Sequence, residues 1–171
     1  CYEAFVPLLH PKNRNLLGEG FSNFLLVLRG EYLWKQILGR LDEVSKELLS
    51  LSHKIHANPE VAWQEFESSA AVIKTLSDHG FDVVEQVSAL PTAFRAEFGS
   101  GDLTVALCAE YDALPGLGHA CGHNIIASSS VGAAIALASV AKDLNIRVVV
   151  LGTPAEEGGG GKIVMLERGA F

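Results

Sequence analysis

The residues of this chain that could do chemistry together are a thiol and an imidazole two positions apart, Cys121 and His123, and the adjacent carboxylates Glu156 and Glu157. A divalent cation of intermediate softness accepts thiolate, imidazole and carboxylate, so one of each makes a coherent set of ligands. Gly122, between the thiol and the imidazole, permits a tight approach. Adjacent residues in a loop point in different directions, so one of Glu156 and Glu157 can bind metal while its neighbour faces a water polarised by that metal. A carboxylate in that position can take the proton of the water and return it to a leaving amine, which is the proton traffic of amide hydrolysis. Cys121 precedes a helical stretch whose backbone N–H groups favour the thiolate, and a bound cation would deprotonate it outright. The same helix end is mildly repulsive to a cation, so several anions should crowd the site, and Asp112, Glu156 and Glu157 are available.

Competing readings of the same residues exist. Cys121 could be the nucleophile of a thiol hydrolase with His123 as its base, but two residues of separation at a helix start make that geometry awkward and leave Glu156 and Glu157 without work. A non-catalytic binding domain that keeps the fold is a third possibility. Each alone, Cys121 and His123 read as a buried small thiol and an ordinary loop histidine. His53 and His56, three apart on a helix, read as a solvated face or a capping pair near Asn58 and Pro59. Cys108 lies inside a β run and reads as a core residue, and Cys1 as a free terminal thiol. The glycines at 158–161 before Lys162 invite a phosphate-loop reading. Glu156 stands where that motif needs its first glycine, however, and Ile163 where it needs Ser or Thr.

The elements that must position these residues follow from periodicity. Residues 1–30 show neither helical nor strand spacing and are left unassigned; the domain is taken as 31–171. From Leu33, apolar residues at Ile37, Leu41, Val44, Leu48, Leu51 and Ile55 line one helix face, and Pro59 ends it. A second helix runs from Glu65 to His79 with Ala70, Ile73 and Leu76 inward, and Gly80 supplies the left-handed stop. Strands are predicted at Phe81 to Val87, at Phe94, Ala96 and Phe98 alternating with Arg95 and Glu97, and at Leu103 to Tyr111, the last apolar enough for a central strand. The Ala-, Ser- and Gly-rich stretch from Ile125 to Leu144 predicts a helix lying close against a sheet. Ile146 to Leu151 predicts another strand, and Lys162 to Arg168 a short helix. The order implies an α/β fold of three layers, αβα, around a mixed, partly parallel sheet. In such sheets ligands bind beyond the carboxyl ends of strands, where both candidate loops emerge.

Composition narrows the function classes. The 171 residues are 49% hydrophobic with 17 glycines, which suits a compact α/β domain and not a disordered chain. A formal charge of -7, with no Lys/Arg stripe, argues against nucleic acid. The three cysteines form no repeated spacing, which argues against a disulfide framework and for a reducing, cytoplasmic setting. The longest early apolar run, Phe24 to Leu28, is too short for a membrane span, and no targeting signal is legible. A chain running from Cys1 to Phe171 is read as a piece of a longer protein.

Three blocks carry a specific resemblance: Glu110-Tyr-Asp-Ala-Leu-Pro115, Gly118-His-Ala-Cys-Gly-His-Asn124 and Gly152-Thr-Pro-Ala-Glu-Glu-Gly158, with His56-Ala-Asn-Pro-Glu60 upstream. Together they resemble the amidohydrolase branch of metallopeptidase family twenty, over roughly residue 41 to the end. Members of that branch hydrolyse hippurate, auxin conjugates, aminobenzoyl-glutamate, and β-alanyl or Xaa-Arg dipeptides. Asn124 with Thr92-Ala-Phe94 most resembles those acting on the last two groups. The resemblance implies that Cys121 bridges two divalent metals, manganese, zinc or similar, that His123 and Glu157 each hold one, and that Glu156 is the general base. Asp112 would support the ligands from behind, as would His119. The family commonly has a metal-binding His two before that Asp; Glu110 stands there, and is not assigned as a ligand. The implied substrate is a small amide or dipeptide, and the complete protein is expected to be a homodimer paired through a lid domain that this chain lacks, as it lacks the family's downstream His ligands. No nucleic acid or membrane partner is expected.

Overall fold

The structure, a computed structural model, describes residues 19–171, with side chains described from residue 26. Among the described residues, five helices and four strands follow in the order α1 (Glu19–Ala57), α2 (Phe66–Asp78), β1 (Asp82–Glu85), β2 (Phe94–Phe98), β3 (Leu103–Ala109), α3 (His123–Ala138), α4 (Ala141–Leu144), β4 (Ile146–Gly152) and α5 (Gly161–Glu167), with a short 3-10 turn at Val87–Ala89. The sheet order is β1-β2-β4-β3. β1 pairs with β2, and β2 with β4, in antiparallel fashion, whereas β3 and β4 run parallel. This is the mixed α/β sheet the sequence predicts.

Alternation along β4 builds both cores. Val148 and Val150 face a cluster with Val44, Leu51 and Ile55 of α1, Val72 and Leu76 of α2, and Val131 and Ile135 of α3. Val149 and Leu151 face the other way, onto Leu90, Ala93 and Met165 of α5. A strand whose two faces are both covered must be apolar throughout, and β4 is buried at every position but Arg147.

Several sequence expectations are corrected. The unassigned residues 1–30 include a helical part, because α1 begins at Glu19 rather than near Leu33; residues 1–18, Cys1 among them, lie outside the described residues. Its apolar stripe is buried at Leu33, Val44, Leu51 and Ile55, but Leu41 is 37% exposed. In α2 the inward face is Ser68, Ser69, Ala71, Val72, Thr75 and Leu76, and Ala70 points to solvent; small and hydroxyl side chains hid that stripe from a purely apolar count. Gly80, at φ +82°, lets the Phe81 N–H reach back to the Leu76 carbonyl at 3.1 Å, as expected of a left-handed stop. β1 ends at Glu85, before Val87. The apolar β3 is an edge strand among the described residues, with Leu103 63% exposed, and β4 holds the central place instead. Hydrophobic content alone does not fix strand order. The helix expected over Ile125 to Leu144 breaks at Ser139 and Val140 into α3 and α4.

Small residues let α3 approach α1. A methyl group at Gly132 would sit 2.6 Å from Leu48 Cδ1. Among the described residues no helix is long and apolar enough to cross a membrane.

A tight core position is Gly152, opposite Phe94 in the antiparallel register. A Cβ there would lie 2.1 Å from the ring of the fully buried Phe94. Gly152→Ala is therefore expected to destabilise the fold by about 1–3 kcal/mol, read as a lower urea midpoint with an unchanged slope; an unchanged midpoint would contradict this packing.

Candidate metal centre

The parallel register of β3 and β4 sets Ala109 beside Gly152. The ladder continues one step further, with the Thr153 N–H donating to the Ala109 carbonyl at 2.9 Å. The loops that follow, 110–122 and 153–160, therefore leave the sheet rim side by side. Asp112 ties them together. Its Oδ1 and its backbone carbonyl accept from His123 Nδ1 at 3.0 and 2.8 Å, and its Oδ2 accepts the Glu157 backbone N–H at 3.0 Å. All three of these Asp112 oxygens can only accept, so Nδ1 is the protonated nitrogen and Nε2 is left to face the site.

His123 opens α3, after Gly122 at φ +81°, a left-handed turn that suits glycine. Its Nε2 lies 3.3 Å from Glu110 Oε2 and 3.5 Å from Glu157 Oε1. Those separations are long for hydrogen bonds. They do match two ligand atoms flanking one ion, since ligands about 2.1 Å from a tetrahedral metal stand about 3.4 Å apart. Cys121 hydrogen-bonds Glu157, which places the thiol at the same carboxylate. That bond, with slight desolvation and the charges of Glu157 and Asp112, raises the Cys121 pKa. The neighbouring carboxylates oppose the thiolate form of Cys121. Cys121 and His123 thus both border the Glu157 carboxylate, as an open half-shell. Among the described residues no group of three or more His, Cys, Asp or Glu side chains is placed so that it could hold a metal ion.

Glu156 points away from this half-shell. Its Oε2 pairs with Lys162 Nζ at 2.8 Å, and Lys162 also grips Glu110. Burial would lower the Lys162 pKa, but the hydrogen bonds and charges of Glu110 and Glu156 outweigh it and raise it. Lys162 sits in the first turn of α5, which is seven residues long, and its two carboxylate partners exclude the phosphate-loop reading. Sequence reasoning considered Lys162 and Glu110 separately and missed them as a pair, because nothing in their spacing marks partners 52 positions apart.

His119 is buried, and neither ring nitrogen makes a well-formed hydrogen bond. Desolvation first, then the charges of His56 and His123, lower its pKa, while the Ile55 carbonyl and Asp112 pull the other way. Its ring lies 6.3 Å from that of His56, so His56 contacts the surroundings of the site without entering the half-shell. Asn58, not a histidine, caps the end of α1, donating to the Lys54 carbonyl at 2.9 Å. Glu60 caps α2 through the Glu67 and Ser68 N–H groups at 2.9 and 2.8 Å, and its carbonyl accepts from Ala113 at 2.7 Å. The upstream block is thus a brace for the first site loop. Cys108, expected in the core, is half-buried on the edge strand, and desolvation raises its pKa.

A buried polar network lies beneath the rim, and no motif or periodicity in the chain announces it. Glu65 is fully buried. Its Oε1 accepts the Trp63 and Ala155 N–H groups at 3.0 and 2.8 Å, and its Oε2 accepts the Thr92 hydroxyl at 2.9 Å. The Thr92 carbonyl in turn takes the hydroxyls of Tyr111 at 2.5 Å and Ser69 at 2.8 Å. Trp63 and Ala155 have φ of 67° and 56°, a left-handed conformation that costs a non-glycine residue roughly 1–2 kcal/mol.

Residues 106–171, which include both site loops, match the model of peptidase family M20/M25/M40. This segment belongs to that family. The chain is 43% identical over 155 residues to Xaa-Arg dipeptidase from Mus musculus, covering 82% of this chain and 36% of that protein. It is 35% identical over 140 residues to a subunit of p-aminobenzoyl-glutamate hydrolase from Escherichia coli, covering 71% of this chain and 29% of the relative. A solved Bacillus subtilis structure, described as a dinuclear metal binding peptidase from the M20 family, superposes with a TM-score of 0.68 at 28% identity, covering 75% of this chain and 40% of the other. The match thus spans 29% to 40% of the length of these M20 relatives.

Two measurements check this site. Asp112→Ala should weaken binding of Mn or Zn ions by about 10–100-fold, because the carboxylate that orients both His123 and the Glu157 loop is gone; equal affinities by titration calorimetry would contradict that role. The second concerns Glu65, whose pKa burial raises against the lowering effect of its hydrogen bonds. Between the ordinary carboxylate value and the raised folded one, the unfolded chain has lost its proton while the folded chain keeps it, so stability falls as pH rises through that window and is level above it. Glu65→Gln has no proton to keep. Urea unfolding from about pH 4 to 8 should show a smaller loss of stability with rising pH in the variant than in the parent.

Proposed function

We propose that the protein carrying this chain hydrolyses an amide or peptide bond of a small substrate, an N-acyl amino acid, an aminobenzoyl-glutamate-like conjugate or a dipeptide, with two divalent metal ions. The observation that carries this reading is the Asp112 tie, which sets His123 Nε2 and Glu157 Oε1 at 3.5 Å with the Cys121 thiol on the same carboxylate. Cys121, His123 and Glu157 would hold the metal, Cys121 as the shared ligand. The ions supply a Lewis acid that polarises the substrate carbonyl and acidifies water. Asp112 fixes the His123 tautomer and ring orientation, so that Nε2 meets the metal without rearrangement. Glu156 is next in chain to a ligand yet outside the half-shell, and its side chain is 39% exposed. It is the group that can reach a water on the open side, take its proton, and pass that proton to the departing amine. Lys162 pairs with both Glu156 and Glu110, and Glu110 also approaches His123 Nε2 at 3.3 Å. The names of the relatives, a dipeptidase and an aminobenzoyl-glutamate hydrolase, support the substrate class.

The thiol-hydrolase alternative fares worse in this geometry. A nucleophilic cysteine needs a base and an electropositive surrounding. Cys121 instead bonds Glu157, its pKa is raised, and His123 is committed to Asp112 through Nδ1.

In the full-length protein, Glu156→Gln should lower kcat by about 10²–10⁴-fold while bound metal, by elemental analysis, stays the same. A chelator should abolish activity. Hydrolysis by Glu156→Gln at the parent rate would remove Glu156 from the mechanism, and chelator-insensitive activity lost on thiol alkylation would restore the alternative. The 171-residue chain alone, presenting only a half-shell, is expected to bind metal weakly and to turn over no substrate; metal-dependent hydrolysis by it would overturn that expectation.

A further inference from the structure

We infer that Glu65, through the Ala155 amide, is a positioning residue for the Glu156 and Glu157 pair, an inference that rests on the roles proposed for those two carboxylates. Glu156 stands between two clamped backbone amides. On one side the Ala155 N–H is held by Glu65 at 2.8 Å; on the other the Glu157 N–H is held by Asp112 at 3.0 Å. Both acceptors are buried carboxylates. A short segment with both ends fixed has little freedom in where its side chains point, and this one sends Glu156 to Lys162 and Glu157 to His123.

Ala155 would not hold its conformation unaided. Its φ of 56° lies in the left-handed region, where an alanine persists only if its surroundings over-determine it. Relaxation to negative φ would swing the chain that follows and re-aim both glutamates. The same Glu65 oxygen also holds the Trp63 amide, at a second left-handed residue. The Trp63 ring packs so closely on Gly159 that a Cβ there would lie 2.5 Å from it. One buried carboxylate thus grips the acidic loop at its start directly and at its glycine end through an indole. Thr92 completes the clamp by donating to the other Glu65 oxygen, and its carbonyl joins Tyr111, the neighbour of Glu110 and Asp112. The network therefore sets the two rim loops against each other.

The chemistry of the clamp predicts which replacements work. A glutamine at 65 keeps an oxygen that can accept both amides, and its NH2 can donate to the Thr92 oxygen. An alanine keeps nothing. Displacements near 1 Å of a reacting group cost about 10²-fold in rate, and a positioning defect falls on kcat more than on KM.

The test uses the full-length protein and its variants Glu65→Ala, Glu65→Gln and Thr92→Val, with kcat and KM measured beside hydrogen exchange of the peptide containing Ala155. Glu65→Ala is expected to lose about 10²-fold in kcat with KM within about threefold, and to exchange the Ala155 amide faster. Glu65→Gln should restore most of both. If Glu65→Ala does not fold, Thr92→Val carries the same two readouts, with a smaller loss. A folded Glu65→Ala with parental kcat, or with unchanged exchange at Ala155, overturns the inference, as does Glu65→Gln failing as completely as Glu65→Ala. Failure of the functional reading looks different: the parent protein then shows no metal-dependent hydrolysis, while the exchange data still decide whether Glu65 clamps the loop.

Discussion

The site depends on two parallel strands ending at the same height. Because Ala109 of β3 lies beside Gly152 of β4, and Thr153 adds one more hydrogen bond to the ladder, the loops carrying Cys121 with His123 and Glu156 with Glu157 emerge next to each other. A slip of one residue would reverse the faces of β4, sending Val148 and Val150 out of one core and Val149 and Leu151 out of the other. Burial on both faces therefore locks the register, and the register brings the donors together. Core packing and site geometry are one constraint.

Electrostatics then sets the character of the rim. Glu110, Asp112, Glu156 and Glu157 gather there, and like charges at short range oppose one another in a half-buried setting. Lys162 offsets two of them and His123 faces others, while Asp112 is satisfied by donors from both loops. What remains is a thiol, an imidazole nitrogen and carboxylate oxygens pointed at a common space. The Cys121 thiol, set beside these carboxylates, has a raised pKa.

Beneath that surface the structure stores and restrains strain. Trp63 and Ala155 are left-handed without being glycine, and a single buried carboxylate holds both amides. Glycines do the complementary work where backbone or ring comes too near: a Cβ at Gly161 would meet the Pro154 carbonyl at 1.8 Å. The acidic loop is thus rigid through a combination of close approach and buried hydrogen bonds, although its run of glycines suggests freedom.

The sequence by itself outlined the local elements, most helices and strands within a few residues of their ends, and which residues have the chemistry to act together as metal ligands and proton carriers. Those follow from side-chain periodicity and from the narrow set of residue types that bind a borderline-soft cation. Cys121, His123, Glu157 and Asp112 were legible as a group for that reason, and Glu156 as their neighbour. Only the tertiary structure decided that β4 and not β3 is central, that α2 buries serines and a threonine, and that Lys162 bridges Glu110 and Glu156. It also decided that Glu65, Thr92, Tyr111 and Ala155 form one network. These contacts join residues up to 90 positions apart through single hydrogen bonds, and such bonds leave no periodic trace in a chain. Their partners are chosen by the sheet register, which depends on the whole core at once.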